Sequence, residues 1–297
     1  MIRQAKFEIV DGLTATLKQR LFEEFKVDSL DVEDVFTYTQ LAKIERKPNY
    51  LYVALHFPHF DPQSRHFRSK EIHCFVTDSK LLVIDKDGFP FLQDFQEVYS
   101  WKLGSWSSFD AFYELLDYVI TRMFKVIGKF REEINEVERG LFDERDSSQK
   151  MLLEILIIKR NLINYLSIIG PLLKVLVDLE TKYTSTLTKL GLDKIDDSRD
   201  KIEKIVNNLA NFRDQITLLK ETNETLIAQS TNATVKKLTG INLLVFVPTL
   251  ITSFFGMNVY FGALGSEPSW RWVGLIILTM LGATAVVYAY FRKQDWI

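Results

Sequence analysis

The 297-residue chain is 47% hydrophobic and 26% charged, and its 37 basic and 39 acidic residues give a formal net charge of -2. That balance excludes the electrostatic footprint of a nucleic-acid binder. The single cysteine, Cys74, excludes an intrachain disulfide and suits a reducing compartment.

The N-terminus, MIRQAKFEIV, has no apolar core segment of the signal-peptide kind, so no cleaved leader is expected. Residues 1–104 mix charged and apolar residues as a soluble α/β domain does. "ATLKQRLFEEFKV" predicts an amphipathic helix. "YLYVALHFPHF" predicts a strand that ends near Pro58. "EIHCFVTDSKLLVIDKD" predicts two strands around an Asp78-Ser79 turn.

Helical periodicity takes over in residues 105–192. The first helix opens with Ser107 and Asp110 at capping-box spacing and breaks or bends near Gly140. A second helix is expected from about Ser148 to Leu190, ended by Gly191. Between Glu132 and Asp146 stand seven acids (Glu132, Glu133, Glu136, Glu138, Asp143, Glu144 and Asp146) against Arg139 and Arg145. Such a tip is either a solvated hairpin end or a surface that concentrates cations.

Residues 193–238 predict a stalk helix. Ile202, Ile205, Leu209, Phe212, Ile216, Leu219 and Leu226 follow heptad spacing, so one stripe of the stalk packs on a partner. No proline or glycine intervenes between Gly191 and Gly240. The stalk therefore runs straight into the next segment, a helix of roughly 60 residues and about 90 Å.

Residues 239–297 carry two membrane spans. No charged residue occurs from Leu238 to Ser266, nor from Trp272 to Phe291. The second run has about the 20 residues needed to cross the hydrocarbon. The first is interrupted by Pro248 and Gly256 but is long enough. Buried core helices are the competing account, but soluble helices rarely stay charge-free this long. Lys236 and Lys237 precede the first span and Arg292 and Lys293 follow the second, whereas the loop between holds only Glu267 and Arg271. The positive-inside rule places both termini in the cytoplasm and the loop outside.

Along the first span Asn232, Val235, Leu238 or Thr239, Asn242, Phe246, Thr249 and Ser253 recur every three or four positions and share one face. Amides and hydroxyls repeated on one face of a span point at other helices or at a water path. Two spans cannot enclose a pore, but several copies can, with the first helices as the inner ring. Each copy then brings one Asn258 to a collar at the outer mouth. Carboxamide oxygens are neutral, hard acceptors that meet the water shell of a divalent ion without holding it as tightly as carboxylates do. Mg²⁺ sheds water reluctantly, so an amide collar suits a hydrated ion. Gly256 lets the backbone turn tightly below it. Asn242 and Thr249 add oxygen steps, and Leu238 and Val235, or Phe246, form constrictions that stop ions by dewetting.

Gly256-Met257-Asn258 between two C-terminal spans, the basic tail "YFRKQDWI" and the block "VDSLDVEDVFTYTQLAKIERKPNYLYVAL" together resemble the CorA family of magnesium transporters, in the two-span GxN superfamily. The resemblance covers essentially the whole chain. It implies an α+β cytoplasmic domain, a long helical stalk and two transmembrane helices, assembled as a funnel-shaped homopentamer in the plasma or inner membrane. It implies Mg²⁺ as substrate and regulatory ligand, Co²⁺ or Ni²⁺ as further cargo, and no cofactor. Gly256, Met257 and Asn258 match the selectivity filter and Thr249 the pore threonine. Asn232 and Leu238 match a cytoplasmic gate, and Val235 stands where some members have methionine. The family's regulatory magnesium site falls at Asp197, with Asp193 and Asp200 on the same face. Two departures stand out: Phe255 replaces the usual tyrosine, and the outer loop lacks the family's Met-Pro-Glu run, with Glu267 as a differently spaced substitute.

Two rival readings differ in cargo and in class. A zinc-moving relative of the same superfamily shares the architecture; His56, His59, His66 and His73 supply no thiolate cluster and read as ordinary strand or loop histidines. A non-conducting, membrane-anchored scaffold or sensor accommodates the stalk and anchors but leaves the polar stripe and the Gly-Met-Asn break unexplained. No phosphate loop, nucleophile elbow or metal-hydrolase motif supports an enzyme.

Overall fold

The structure, a computed structural model, describes residues 6–37, 41–142, 148–183, 188–257, 270–294 and 296. The chain forms two compact units, Met1–Lys220 and Glu221–Ile297.

The first unit begins with an α/β layer structure. Strands β1 (Lys6–Asp11), β2 (Lys43–Arg46), β3 (Leu51–Asp61), β4 (His66–Val76) and β5 (Lys80–Asp85) form one sheet of order β1-β5-β4-β3-β2. β1 runs parallel to β5 and the other pairs are antiparallel. The expected Asp78-Ser79 turn joins β4 to β5, closed by the Thr77 amide donating to the Lys80 carbonyl at 2.9 Å and the Lys80 amide to Thr77 Oγ1 at 3.0 Å.

The strand alternation divides the core. Tyr50, Tyr52, Ala54, Phe75, Leu82 and Ile84 face helices α1 (Ala15–Glu23) and α2 (Ser29–Phe36), which bring Leu17, Leu21, Val32 and Val35. Leu51, Val53, Leu55, Ile72, Cys74 and Val83 face the other side, with α3 (Pro90–Leu103) and the long helices. β3 runs on through Pro58 to Asp61, against expectation. Among the described residues β2 pairs with Leu51–Ala54, and Pro58 lies opposite Ser69 of β4.

Helices α4 (Ser108–Leu141) and α5 (Ser148–Lys182) follow. The capping box forms as expected: the Asp110 amide donates to Ser107 Oγ at 3.1 Å and the Ser107 amide to Asp110 Oδ2 at 3.4 Å. α5 is long and apolar enough to pass for a membrane span, yet 44% of its most apolar window is buried in the unit, against 6% and 0% for the two helices that follow. One face of it, including Ile155, Leu162, Ile169, Leu172 and Leu176, lies in the core, where the Tyr165 hydroxyl also donates to the Met123 carbonyl at 2.8 Å.

Helix α6 runs from Lys189 to Phe255 and α7 from Trp270 to Lys293. The heptad seam is consumed within the chain: Ile202, Ile205, Leu209, Phe212, Ile216 and Leu219 are buried with α4 and α5, and Leu226 is half-buried. Gly191 does not terminate α5, which stops at Lys182. It lies in the first turn of α6, where its amide donates to Thr188 Oγ1 at 3.0 Å. A Cβ there would sit 2.5 Å from Cε2 of buried Tyr113. Gly191→Ala is therefore expected to lose about 1–3 kcal/mol by overpacking, read as a lower melting temperature.

Candidate functional site

Within the second unit α6 shelters one face. Gly240 is buried, and Leu243, Leu244, Val247, Pro248 and Ile251 are half-buried. On α7 the partly or fully buried positions are Ile276, Met280, Ala283, Thr284, Val287 and Phe291, again one face. At about 100° per residue, Asn232, Val235, Leu238, Asn242, Phe246 and Thr249 fall within about 120° of arc on the other side of α6. All six are exposed, Val235 by 54%, Leu238 by 55% and Phe246 by 58%. Ile241 and Val245, also exposed, are what a lipid-facing surface requires; the amides and the hydroxyl are not.

Local chemistry sharpens the stripe. The Thr249 hydroxyl donates to the Val245 carbonyl at 2.8 Å, which commits its proton and leaves its lone pairs outward. Pro248 has no N–H for the Leu244 carbonyl, and the Thr252 hydroxyl donates to the Pro248 carbonyl at 3.1 Å. α6 ends at Phe255, just before the Gly-Met-Asn tripeptide. The Gly256 amide donates to the Thr252 carbonyl at 2.9 Å, and a Cβ on Gly256 would come within 3.1 Å of that oxygen. A side chain there would need that carbonyl to give by a few tenths of an ångström. Met257 is 56% exposed. Asn258 lies outside the described residues, as does the loop to residue 269.

The second group of site residues lies near the start of α6. Asp193, Asp197 and Asp200 are exposed on one face. Of the four bases interleaved with them, Lys204 is exposed on the same face, and the other three turn elsewhere. Lys194 pairs with Glu114 and Asp117 at 3.3 and 3.4 Å, Lys201 pairs with Asp117, and Arg199 pairs with Glu180 at 3.1 Å and Asp196 at 2.7 Å. No ion pair to Asp193, Asp197 or Asp200 occurs among the described residues. Among those residues no group of three His, Cys, Asp or Glu side chains is placed to hold a metal ion within one chain.

Of the seven acids near the end of α4, Asp143, Glu144 and Asp146 lie outside the described residues. Glu133 and Glu136 line a cavity of about 440 Å³ with Arg65, Lys150 and Glu154. Burial, then the charge of Glu136, raises the Glu133 carboxyl above its usual pKa.

Sequence reasoning missed a buried polar group at the sheet. Glu71 is fully buried, with His73 Nε2 at 3.5 Å, His56 Nε2 at 3.7 Å and Lys86 Nζ at 3.3 Å. His56 Nδ1 meets Ser69 Oγ at 3.0 Å and His73 Nδ1 meets the Tyr52 hydroxyl at 2.9 Å. His56 and Glu71 pair across β3 and β4, a register invisible from spacing alone. Burial lowers the His56 pKa below its usual 6.5. The unfolded chain then binds the extra proton first, so stability falls as pH drops through about 6.5. For Glu71, burial raises the pKa, but the adjacent His73 ring and the positive charge of Lys86 and His56 outweigh it and the net shift is downward. Its contribution is lost at lower pH, below the carboxylate's usual 4.5. The melting temperature is expected to fall between pH 7.5 and 5.5, and His56→Gln to flatten that slope.

The charge-free C-terminal part of α6, with its exposed polar face, stops just before the Gly-Met-Asn sequence and is followed by a second apolar helix, the pattern of a membrane transport protein. The chain belongs to the CorA-like Mg²⁺ transporter protein family, whose model matches residues 8–293. It is 25% identical over 285 residues to the cobalt/magnesium transport protein CorA of Thermotoga maritima, covering 94% of this chain and 79% of that one. It is 23% identical over 186 residues to the protein of that name from Methanocaldococcus jannaschii, covering 62% of this chain and 57% of that one. The fold matches the complete structure of the CorA magnesium transporter from Methanocaldococcus jannaschii with a TM-score of 0.82 at 18% identity, over 98% of this chain and 91% of that one. It also matches the full-length CmaX protein with a TM-score of 0.73 at 17% identity, over 96% and 88%.

Proposed function

We propose that this chain conducts Mg²⁺ into the cell through a pore formed by a ring of five copies, driven by the membrane potential and throttled by internal Mg²⁺. The observation that carries the reading is the exposed polar face of α6, which one chain leaves uncovered and which leads to Gly256-Met257-Asn258. Asn258 supplies the outer amide collar, with Gly256 and Met257 shaping it. Thr249 and Asn242 supply the oxygen steps below. Val235, Leu238 and Phe246 form the apolar constrictions, with Asn232 at the inner mouth. Thr249 suits a hydrated cation because its proton is already given to Val245, so its oxygen acts as an acceptor toward ion-bound water. Co²⁺ and Ni²⁺, of similar charge, are expected to share the path.

In this reading residues 1–104 and 105–192 form the cytoplasmic part, 193–238 the stalk and 239–297 the pore, with both termini in the cytoplasm. Asp193, Asp197 and Asp200 hold regulatory Mg²⁺ against acids of the neighbouring copy. For a divalent ion the potential supplies about 4.6 kcal/mol per 100 mV, which removes any need for a charged pore or a coupled ion.

Purified protein in liposomes containing a magnesium dye tests this. Entry is expected under an imposed negative-inside potential and is expected to collapse when the potential is set to zero without a gradient. Zinc entry without magnesium entry would transfer the assignment to the zinc-moving relative. No flux of either ion from assembled protein would favour the scaffold.

A further inference from the structure

The tip of the β3–β4 hairpin is tied to α5. Arg65, in the turn between the strands, has φ 56°, in the left-handed region. The Asn161 side-chain amide donates to the Arg65 carbonyl at 3.0 Å, and the Phe67 amide donates to Asn161 Oδ1 at 3.3 Å. The Arg65 guanidinium donates to both carboxylate oxygens of Glu154, at 3.2 and 2.7 Å. Beside this tie lie two adjoining cavities that share Phe60 and Glu133 as walls. The larger, of about 440 Å³, has apolar walls of Val137, Met151, Ile157 and Ile158. The smaller, of about 290 Å³, is lined by Pro58, Phe67, Val126 and Phe130. The Phe60 and Phe130 rings flank that of Phe67, with centroids 5.3 and 5.5 Å from it.

The charges in the larger cavity do not balance. Arg65 and Glu154 neutralise each other, Lys150 has a partner of its own, and the Asn161 amide is used by the hairpin. Glu133 and Glu136 also line it and have no hydrogen bond or ion pair among the described residues. They stand one turn apart on α4, a spacing that puts Cβ atoms about 5–6 Å from each other. The one further base, Lys129, lines the smaller cavity.

These walls discriminate between ligand classes. A bare metal ion needs converging donors, and among the described residues no three carboxylates, imidazoles or thiols are placed to hold one. An anion would meet two unpaired carboxylates. A linear organic amine fits both features: ammonium groups suit the acids, and an alkyl chain suits the apolar walls and the face of Phe60, which also attracts ammonium. Two ammonium groups joined by about three or four methylenes span about 5–6 Å, the separation of the two glutamates.

We propose that this cleft binds a linear organic polyamine, with ammonium groups at Glu133 and Glu136 and the alkyl chain against Phe60 and Ile158. The site is independent of the pore reading of α6 and of the aspartates at the start of that helix. It makes the acidic end of α4 a receptor for a second class of cation. A bound chain bridges α4 to the hairpin tip and so stabilises the first unit.

Calorimetric titration of the purified protein with spermidine tests this, at about 0.15 M salt to screen diffuse counter-ion binding. Saturable binding is expected, together with a rise in melting temperature. Glu133→Gln combined with Glu136→Gln is expected to weaken binding at least tenfold, and Phe60→Ala three- to tenfold. All three positions are exposed, so the variants should keep their fold. Asn in place of Asp193, Asp197 and Asp200 is expected to leave binding unchanged, and magnesium equimolar with spermidine is expected not to displace it. No binding, binding unchanged in the double glutamine variant, or displacement by equimolar magnesium would each overturn the proposal. Magnesium uptake by liposomes is a separate readout, so loss of the amine site leaves the pore reading where it stands.

Discussion

Asn258→Ala is expected to reduce magnesium uptake at least a hundredfold, to the background of empty liposomes, while the protein still assembles. Each copy contributes a single amide to the collar, so one substitution deletes the whole ring at once. In the pore reading the next polar groups along the same face of α6 are Ser253 and Thr249, further from the mouth. The alanine collar leaves a narrow apolar mouth that a hydrated ion can enter only by losing water it gives up reluctantly. Asn258→Asp makes a different prediction. A ring of carboxylates binds the ion more tightly and releases it more slowly, so uptake should saturate at lower magnesium with a lower maximum. Uptake measured against external magnesium, with size-exclusion chromatography to verify assembly, reads both. Wild-type uptake by Asn258→Ala would remove the amide collar from the mechanism.

Replacing Asp193, Asp197 and Asp200 together by Asn is expected to abolish the magnesium dependence of protease protection, or to shift it at least tenfold. The reason lies in where the neighbouring bases go. Lys194, Arg199 and Lys201 alternate with the three acids in sequence, which reads as a mixed solvated face. In the fold they are drawn to Glu114, Asp117, Glu180 and Asp196. The exposed aspartates are thereby left without an ion pair among the described residues, and with Lys204 as the one base on their face that face stays net acidic, which attracts a cation and repels a second copy of itself. In the proposed mechanism bound Mg²⁺ would remove that repulsion and hold neighbouring stalks together, and loss of Mg²⁺ would restore it and loosen the ring. The substitutions are isosteric and on the surface, so they should change folding stability little. Limited proteolysis across a magnesium titration is the readout. A titration unchanged from wild type would show that these acids are only solvated.

Several features were legible because they are local. The absence of charge over a span-length run is a property of composition, and the bilayer tolerates little else. The capping box at Ser107 and Asp110 and the turn at Asp78-Ser79 each close within four residues, so short-range chemistry decides them. The seam from Ile202 to Leu219 and the stripe from Asn232 to Thr249 follow from helical period alone, since one turn dictates which residues share a face.

Tertiary structure decided what period and composition leave open. Whether an apolar helix crosses a membrane or fills a core depends on what covers it: α5 passes the same compositional test as α6 and α7 and yet packs into the first unit. Pro58 stays in a strand, paired opposite Ser69 of β4, although the residue alone predicts a strand end. Gly191 belongs to the start of α6 because Thr188 caps that turn and the Tyr113 ring occupies the space of a side chain. The parallel pairing of β1 with β5, and the meeting of His56, Glu71, His73 and Lys86 in the sheet, join residues far apart in the chain. By itself, then, the sequence determined the two spans, the polar stripe and the tripeptide at its end, because lipid and helix geometry act residue by residue. Only the fold determined which charges neutralise each other and which remain available to an ion, because electrostatic pairing depends on distances that chain order does not contain.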